Sequence, residues 1–230
     1  VPPNPRWENF AGAIEAMRFF WAYLWNTVLL CVLTVIGAVL SSALAAYGFS
    51  RIRWRGRDRV FVVVLLTMMI PFPVIMVPMY ALFSSVGLIG TLVPLWLPTF
   101  FAGAFNVFLL RQFFMQIPRD LTDAARIDGC GEWRIFWQII LPMSRPALLV
   151  VGLFQFMATW NDFLGPLIYL TDQRDFTLAL GLQFFQSQHG GTQWHYLMAA
   201  STLVVVPVVA LFFVAKRYFV EGVSMTGLKG

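Results

Sequence analysis

Phe19–Ser50 reads FFWAYLWNTVLLCVLTVIGAVLSSALAAYGFS and contains no charged side chain. Crossing the hydrocarbon core of a bilayer takes about 20 apolar residues, and a charge at its centre costs roughly 2.5–3.5 kcal/mol. The stretch is therefore predicted to be a membrane-spanning helix, long enough to tilt or protrude. Working outward, Val60–Leu110 is also free of charge. That run is far too long for one span and carries a turn signal at Ser84-Ser85-Val86-Gly87, with Gly90 following, so it divides into two. Pro146–Thr171 is interrupted only by Asp162, and the half of Phe176–Ala215 from Tyr196 onward is apolar enough to cross. Five spans result. Hydrophobic residues make up 59% of the chain and charged ones 12%, about half the charge of a soluble domain. Strands of a closed barrel would alternate in polarity, and these runs do not. The fold class is all-α and polytopic.

The formal charge of +5 and pI near 9.6 invite a nucleic-acid reading, which the placement of the charges excludes. Arg51, Arg53, Arg55, Arg57 and Arg59 lie in the first connection. Arg111, Arg119, Arg126, Arg134 and Arg145 lie in or beside the third, and Lys216, Arg217 and Lys229 follow the last span. Only Arg6, Arg18 and Arg174 fall on the other side if the spans alternate. This positive-inside asymmetry places those connections and the C-terminus in the cytoplasm, and the N-terminus outside. Trp21, Trp25 and Trp54 bracket the first span as an aromatic belt would. Cys31 lies mid-span and Cys130 in the cytoplasmic connection, so a disulfide between them is not expected.

Residues 1–18 form an external segment. Its Trp7, Phe10, Ile14 and Met17 recur at helical spacing, as in a helix lying in the interface. The second span, with Ile70-Pro71-Phe72-Pro73 and Pro78, is predicted to be kinked. Of the external connection Asp172–Trp194, Phe176–Phe185 is expected to form a short amphipathic helix. The polar remainder, with Gln186, Gln188, His189, Gly190 and Gly191, is either linker or contact surface. Asn161 and Asp162 end the fourth span. A carboxylate there is either a functional residue or a helix-end group in the headgroup region. Asn106 and Gln155 are further candidates for a polar path, as are Asn26 and Thr159, although intramembrane amides also serve helix contacts.

The cytoplasmic connection 115–145 carries the densest pattern. Pro118 marks a helix start, and Asp120 and Asp123 are placed in its first turn, where negative charge suits the dipole. Ala124 and Ala125 are small enough to admit a close partner surface. Gly129 and Gly131 permit a turn, and Ile139, Leu141 and Pro142 lead back into apolar surroundings. Catalysis and metal binding have no visible support. Gly222-x4-Gly227-Leu228-Lys229 lacks the ending of a phosphate-binding loop. His189 and His195 have no cysteine or carboxylate at ligand spacing, and no Ser/His/Asp set presents itself.

Asp123-Ala124-Ala125, three residues, Gly129, nine residues, then Ile139-x-Leu141-Pro142 resembles the E-A-A-x3-G-x9-I-x-L-P loop of bacterial ATP-binding-cassette importer permeases. Asp123 stands in place of Glu. Leu109–Phe114, Ala125–Gly129, Trp160–Leu164 and the ending Gly227–Gly230 are similar to the carbohydrate-uptake branch, specifically to the second maltose permease subunit. The resemblance implies a type I importer transmembrane domain over 19–220, a cytoplasmic tail over 221–230, and a bacterial plasma (inner) membrane location. It also implies six spans, hence one preceding Val1. Expected partners are a second homologous permease subunit forming a heterodimeric pore, a cytoplasmic ATPase dimer and an extracytoplasmic solute-binding protein. The bilayer and a carbohydrate substrate complete the set. No cofactor is expected on this chain, since ATP and Mg would be bound by the ATPase. In that scheme Asp123 is a polar anchor, Ala124 and Ala125 make the close contact, Gly129 gives the turn, and Leu141-Pro142 the hinge. An importer of the same architecture for glycerol phosphate or an amino acid is the alternative. An ion-coupled secondary carrier is more remote, because it would need buried carboxylates.

Overall fold

A computed structural model describes residues 6–185 and 193–224, apart from the side chains of Phe184 and residues 214–224. Gln186, Gln188, His189, Gly190 and Gly191 lie outside the described residues, as does most of the expected tail. Among the described residues every regular element is helical. In chain order these are α1 (Glu8–Ala16), α2 (Phe20–Ser50), α3 (Arg57–Thr67), α4 (Phe72–Ser85), α5 (Val93–Trp96) and α6 (Ala104–Gln116). They are followed by α7 (Arg119–Ile127), α8 (Glu132–Met143), α9 (Arg145–Trp160), α10 (Leu164–Tyr169), α11 (Leu178–Gly181) and α12 (Trp194–Ser224).

Three stretches are long and apolar enough to cross a membrane: Phe20–Ser50, Val93–Gln116 and Trp194–Phe213. Two further candidates are bent helix pairs, which bring the total to five if each pair counts as one span. The second span departs from the kinked helix expected of it. It is two helices, α3 and α4, at 95° to each other. Pro71, extended at φ −71° and ψ 147°, starts α4, and Met68, Met69 and Ile70 donate only to carbonyls three residues back. A proline cannot donate and its predecessor is driven out of the helical region, so the break falls before Pro71. Neither piece, at 11 and 14 residues, spans about 30 Å at about 1.5 Å per residue. The α8–α9 pair bends by 78° beside Ser144, next to the expected hinge at Leu141-Pro142.

Between α5 and α6 the chain passes through a 3-10 turn, Leu97–Phe101, and then Ala102 at φ +55°. A non-glycine residue pays a steric cost there, and the interrupted helix leaves polar backbone groups. Ser41 of α2 answers two of them. Its hydroxyl accepts from the Ala102 N–H at 3.1 Å, and its single proton is shared between the Gly37 carbonyl at 2.7 Å and the Thr99 carbonyl at 3.1 Å.

Contacts divide the chain into two units. The first takes residues up to Cys31, Gly87–Leu95 and the chain from Met157. In it α1 does not lie free, because Ala13 and Met17 are buried and the helix packs along the start of α12. A Cβ on Gly12 would stand 2.7 Å from the Tyr196 ring, so a larger residue would require that ring to shift. Phe176–Phe185 folds inward as well, with Leu178 and Leu180 buried. Asn26 donates to the Arg174 and Phe176 carbonyls at 2.9 and 3.2 Å, and the Thr27 hydroxyl accepts from the Leu178 N–H at 2.9 Å. Asn26 is thus committed to holding this segment.

The second unit comprises Val32–Val86 and Trp96–Phe156. Its core joins Ala43, Ala46 and Tyr47 of α2 to Val107, Leu110 and Phe114 of α6, and reaches Ala125, Ile135, Phe136 and Ile140. The connection 115–145 therefore shares one apolar core with two spanning helices.

Candidate coupling surface

Pro118, extended at ψ 136°, precedes α7 and fixes its start. Asp120 in the first turn and Arg126 in the last oppose the helix dipole favourably. Asp123, expected in the first turn, lies one residue beyond it. Thr122 and Ala125, three apart, are buried, whereas Leu121, Asp123, Ala124 and Ile127 are exposed. The two alanines divide accordingly. Ala125 belongs to the chain's own core, whereas Ala124 is exposed.

Gly129 ends α7 at φ +80°. The Cys130 N–H donates to the Ala125 carbonyl at 2.9 Å and the Gly129 N–H to that of Arg126 at 3.0 Å, the paired bonds of a Schellman cap. A Cβ on Gly129 would touch nothing within 4 Å, so a side chain there meets conformational cost rather than collision. We expect Gly129→Asn to be nearly silent in thermal unfolding, because Asn tolerates the left-handed region, and Gly129→Val to cost about 1–2 kcal/mol. Equal losses in the two variants would show that the turn is not the reason for glycine.

A chain of charge-assisted bonds ties α7 to α8 and α2. Arg126 donates from Nη1 to Asp123 Oδ1 at 2.6 Å and from Nε to Glu132 Oε1 at 2.8 Å. Glu132 Oε2 accepts from the Tyr47 hydroxyl at 2.5 Å. Tyr47 is buried, its ring centroid 5.2 Å from that of Phe136. The Arg126 guanidinium holds the Glu132 carboxyl below its usual range, assisted by Tyr47 and opposed by burial. A depressed carboxylate stabilises fully above its unfolded pKa and loses that contribution as pH falls through the folded value, so the link is intact at neutral pH. The two acidic partners in turn raise the Arg126 pKa. One helical turn along α2, buried Arg51 donates from Nη2 to the Phe114 carbonyl and, at 2.5 Å, to that of Ile117. These carbonyls end α6 immediately before α7.

In α8 the chain widens into a π turn over Phe136–Ile140, burying Phe136 and Ile140. Ile139 and Leu141 are half-buried against that core, and Pro142 is exposed. Ile127 (87% exposed), Trp133 (64%) and Trp137 (46%) leave apolar surface uncovered. Sequence reasoning did not select Tyr47, Arg51, Glu132, Ile127 or Trp133.

The path candidates are divided between the two units. Asn106 and Gln155, both half-buried, belong to the second. In the first, exposed Asn161 donates to the Met157 carbonyl of its own helix at 2.7 Å. Asp162 accepts from the Gly165 N–H at 3.0 Å and so caps α10.

The sequence pattern of the family described as binding-protein-dependent transport system inner membrane component matches residues 37–225. The arabinooligosaccharides transport system permease protein AraQ of Halalkalibacterium halodurans is 34% identical over 223 residues, covering 97% of this chain and 79% of that one. The sn-glycerol-3-phosphate transport system permease protein UgpE of Yersinia enterocolitica is 33% identical over 228 residues, covering 96% and 81%. Among solved structures, a bacterial ABC transporter involved in the import of the acidic polysaccharide alginate superposes with a TM-score of 0.83 at 22% identity, covering 95% of this chain and 81% of that one. That last likeness concerns the fold.

Proposed function

This chain belongs to the family of binding-protein-dependent transport system inner membrane components, and from that premise we propose that it is one half of a heterodimeric, ATP-driven carbohydrate-import pore. Its partners are a second homologous permease subunit, a cytoplasmic ATPase dimer and an extracytoplasmic solute-binding protein, in a bacterial inner membrane with the C-terminus inside. The observation that carries the reading is α7. It is a short helix with a buried face in the chain's own core and an opposite face, Ala124 with Ile127, left open. Such a helix conveys force only if something grips the open face. An ATPase dimer that closes on ATP supplies the differential affinity needed to switch the pore between inward- and outward-facing states. ATP and Mg belong to that partner.

The carbohydrate class is supported by relatives whose names specify arabinooligosaccharides, lactose and trehalose or maltose. A second reading, import of a glycerol phosphate, is favoured by relatives named as sn-glycerol-3-phosphate permease UgpE. The test is uptake into proteoliposomes holding the whole complex, with radiolabelled oligosaccharides and sn-glycerol 3-phosphate compared. Accumulation of an oligosaccharide that requires both ATP and the binding protein supports the proposal. Accumulation of glycerol phosphate alone transfers it to the second reading, and uptake driven by an ion gradient without ATP contradicts both.

A further inference from the structure

We propose that Tyr47 is the positioning residue through which α2 follows the movement of α7. This rests on the coupling role proposed for α7. The Glu132 carboxylate has two oxygens and divides them, giving Oε1 to Arg126 of α7 and Oε2 to Tyr47 of α2. Arg126 also holds Asp123 on the same helix. A displacement of α7 is therefore transmitted by Arg126 to Glu132, and by Glu132 to a phenol fixed in the middle of a spanning helix's last turns.

Geometry distinguishes this link from the apolar contacts beside it. Packing of Ala125 against the core is non-directional and survives small sliding movements. A 2.5 Å O–H···O⁻ bond does not, because it weakens steeply with distance and angle. The Tyr47 ring is only 5% exposed and lies against Phe136, so the phenol cannot swing to follow Glu132 independently of α2. Arg51 has a different duty. It grips the carbonyls of Phe114 and Ile117 and so fixes the approach to α7 rather than α7 itself. Tyr47 is thus the place where the two helices are joined by a bond with direction.

Tyr47→Phe removes the hydroxyl and leaves the ring. In the intact complex reconstituted with its ATPase and binding protein, the variant should keep ATPase association, thermal stability and ATP turnover within about twofold of the unaltered complex. Solute moved per ATP should fall about fivefold, the size set by one internal hydrogen bond. Glu132→Ala should lower the ratio as well, and adding Tyr47→Phe to it should have no further effect, since both changes break the same link. An unchanged ratio in Tyr47→Phe would overturn the proposal. So would a loss that tracks thermal stability, or effects that add in the double variant. Failure of the unaltered chain to retain any ATPase would instead overturn the coupling role on which the proposal rests.

Discussion

Arg51→Met should loosen the junction between α6 and α7 and release the ATPase from an otherwise inserted protein. Arg51 is 9% exposed, and its guanidinium donates to two carbonyls at the end of α6. Hydrogen bonds from a charged donor contribute about 1.5–3 kcal/mol, and a buried acceptor left without a partner costs about 1–3 kcal/mol. Part of this is returned, because burial opposes the Arg51 charge and its Nε finds no partner among the described residues. A net loss of about 2–3 kcal/mol is expected, a large share of ordinary stability. Arg51→Lys should recover only part, since an ammonium lacks the planar fork that spans two carbonyls. Thermal unfolding of the purified complex, with ATPase retention measured on the same sample, reads both effects. An unchanged midpoint in Arg51→Met would remove Arg51 from the account.

Ile127→Asp should leave the chain stable and destroy its grip on the ATPase. Ile127 is 87% exposed, and changes at such positions seldom move stability by more than about 0.5 kcal/mol. Covering an isoleucine side chain contributes about 1.5–3 kcal/mol, and a buried unpaired carboxylate adds its own penalty. Association should weaken at least tenfold to a hundredfold, a factor of ten per about 1.4 kcal/mol. Ala125→Leu should do the reverse. It forces extra volume into a filled core at about 1–3 kcal/mol and lowers the permease's own stability. Quantitative pull-down of the ATPase beside thermal unfolding separates the two variants. Equal behaviour would mean that α7 does not present the faces described.

Much of this was legible in the sequence because it depends on local chemistry. Charge-free runs give spanning helices, Pro118 starts α7 and Gly129 stops it. The hinge at Leu141-Pro142 was implied by the family resemblance, and the bend lies just beyond it at Ser144. What escaped depends on tertiary phase. Ala124 and Ala125 are identical neighbours, and only the rotation of α7 against the core of α2 and α6 sends one outward and one inward. The Tyr47–Glu132 bond joins residues 85 apart, and Tyr47 reads as one more apolar residue of a span. Arg51 counts in the sequence as a topogenic charge, with nothing to show that it is buried. Pro71 announces an interruption of the second span but not its 95° angle. The sequence places Asp162 at the end of the fourth span but not its bond to the Gly165 N–H, which depends on how the chain turns after Trp160.

The outward face of α7 is most directly tested by single cysteines at positions 124, 125 and 127, in a background where Cys31 and Cys130 are replaced by Ser. Each is labelled with a maleimide photo-crosslinker in the assembled complex. Ala124→Cys and Ile127→Cys should label readily and yield adducts with the ATPase, while Ala125→Cys should label poorly and yield none. Adducts from position 125 without any from 124 and 127, or adducts from none of the three, would contradict the assignment of α7 as the helix the ATPase holds.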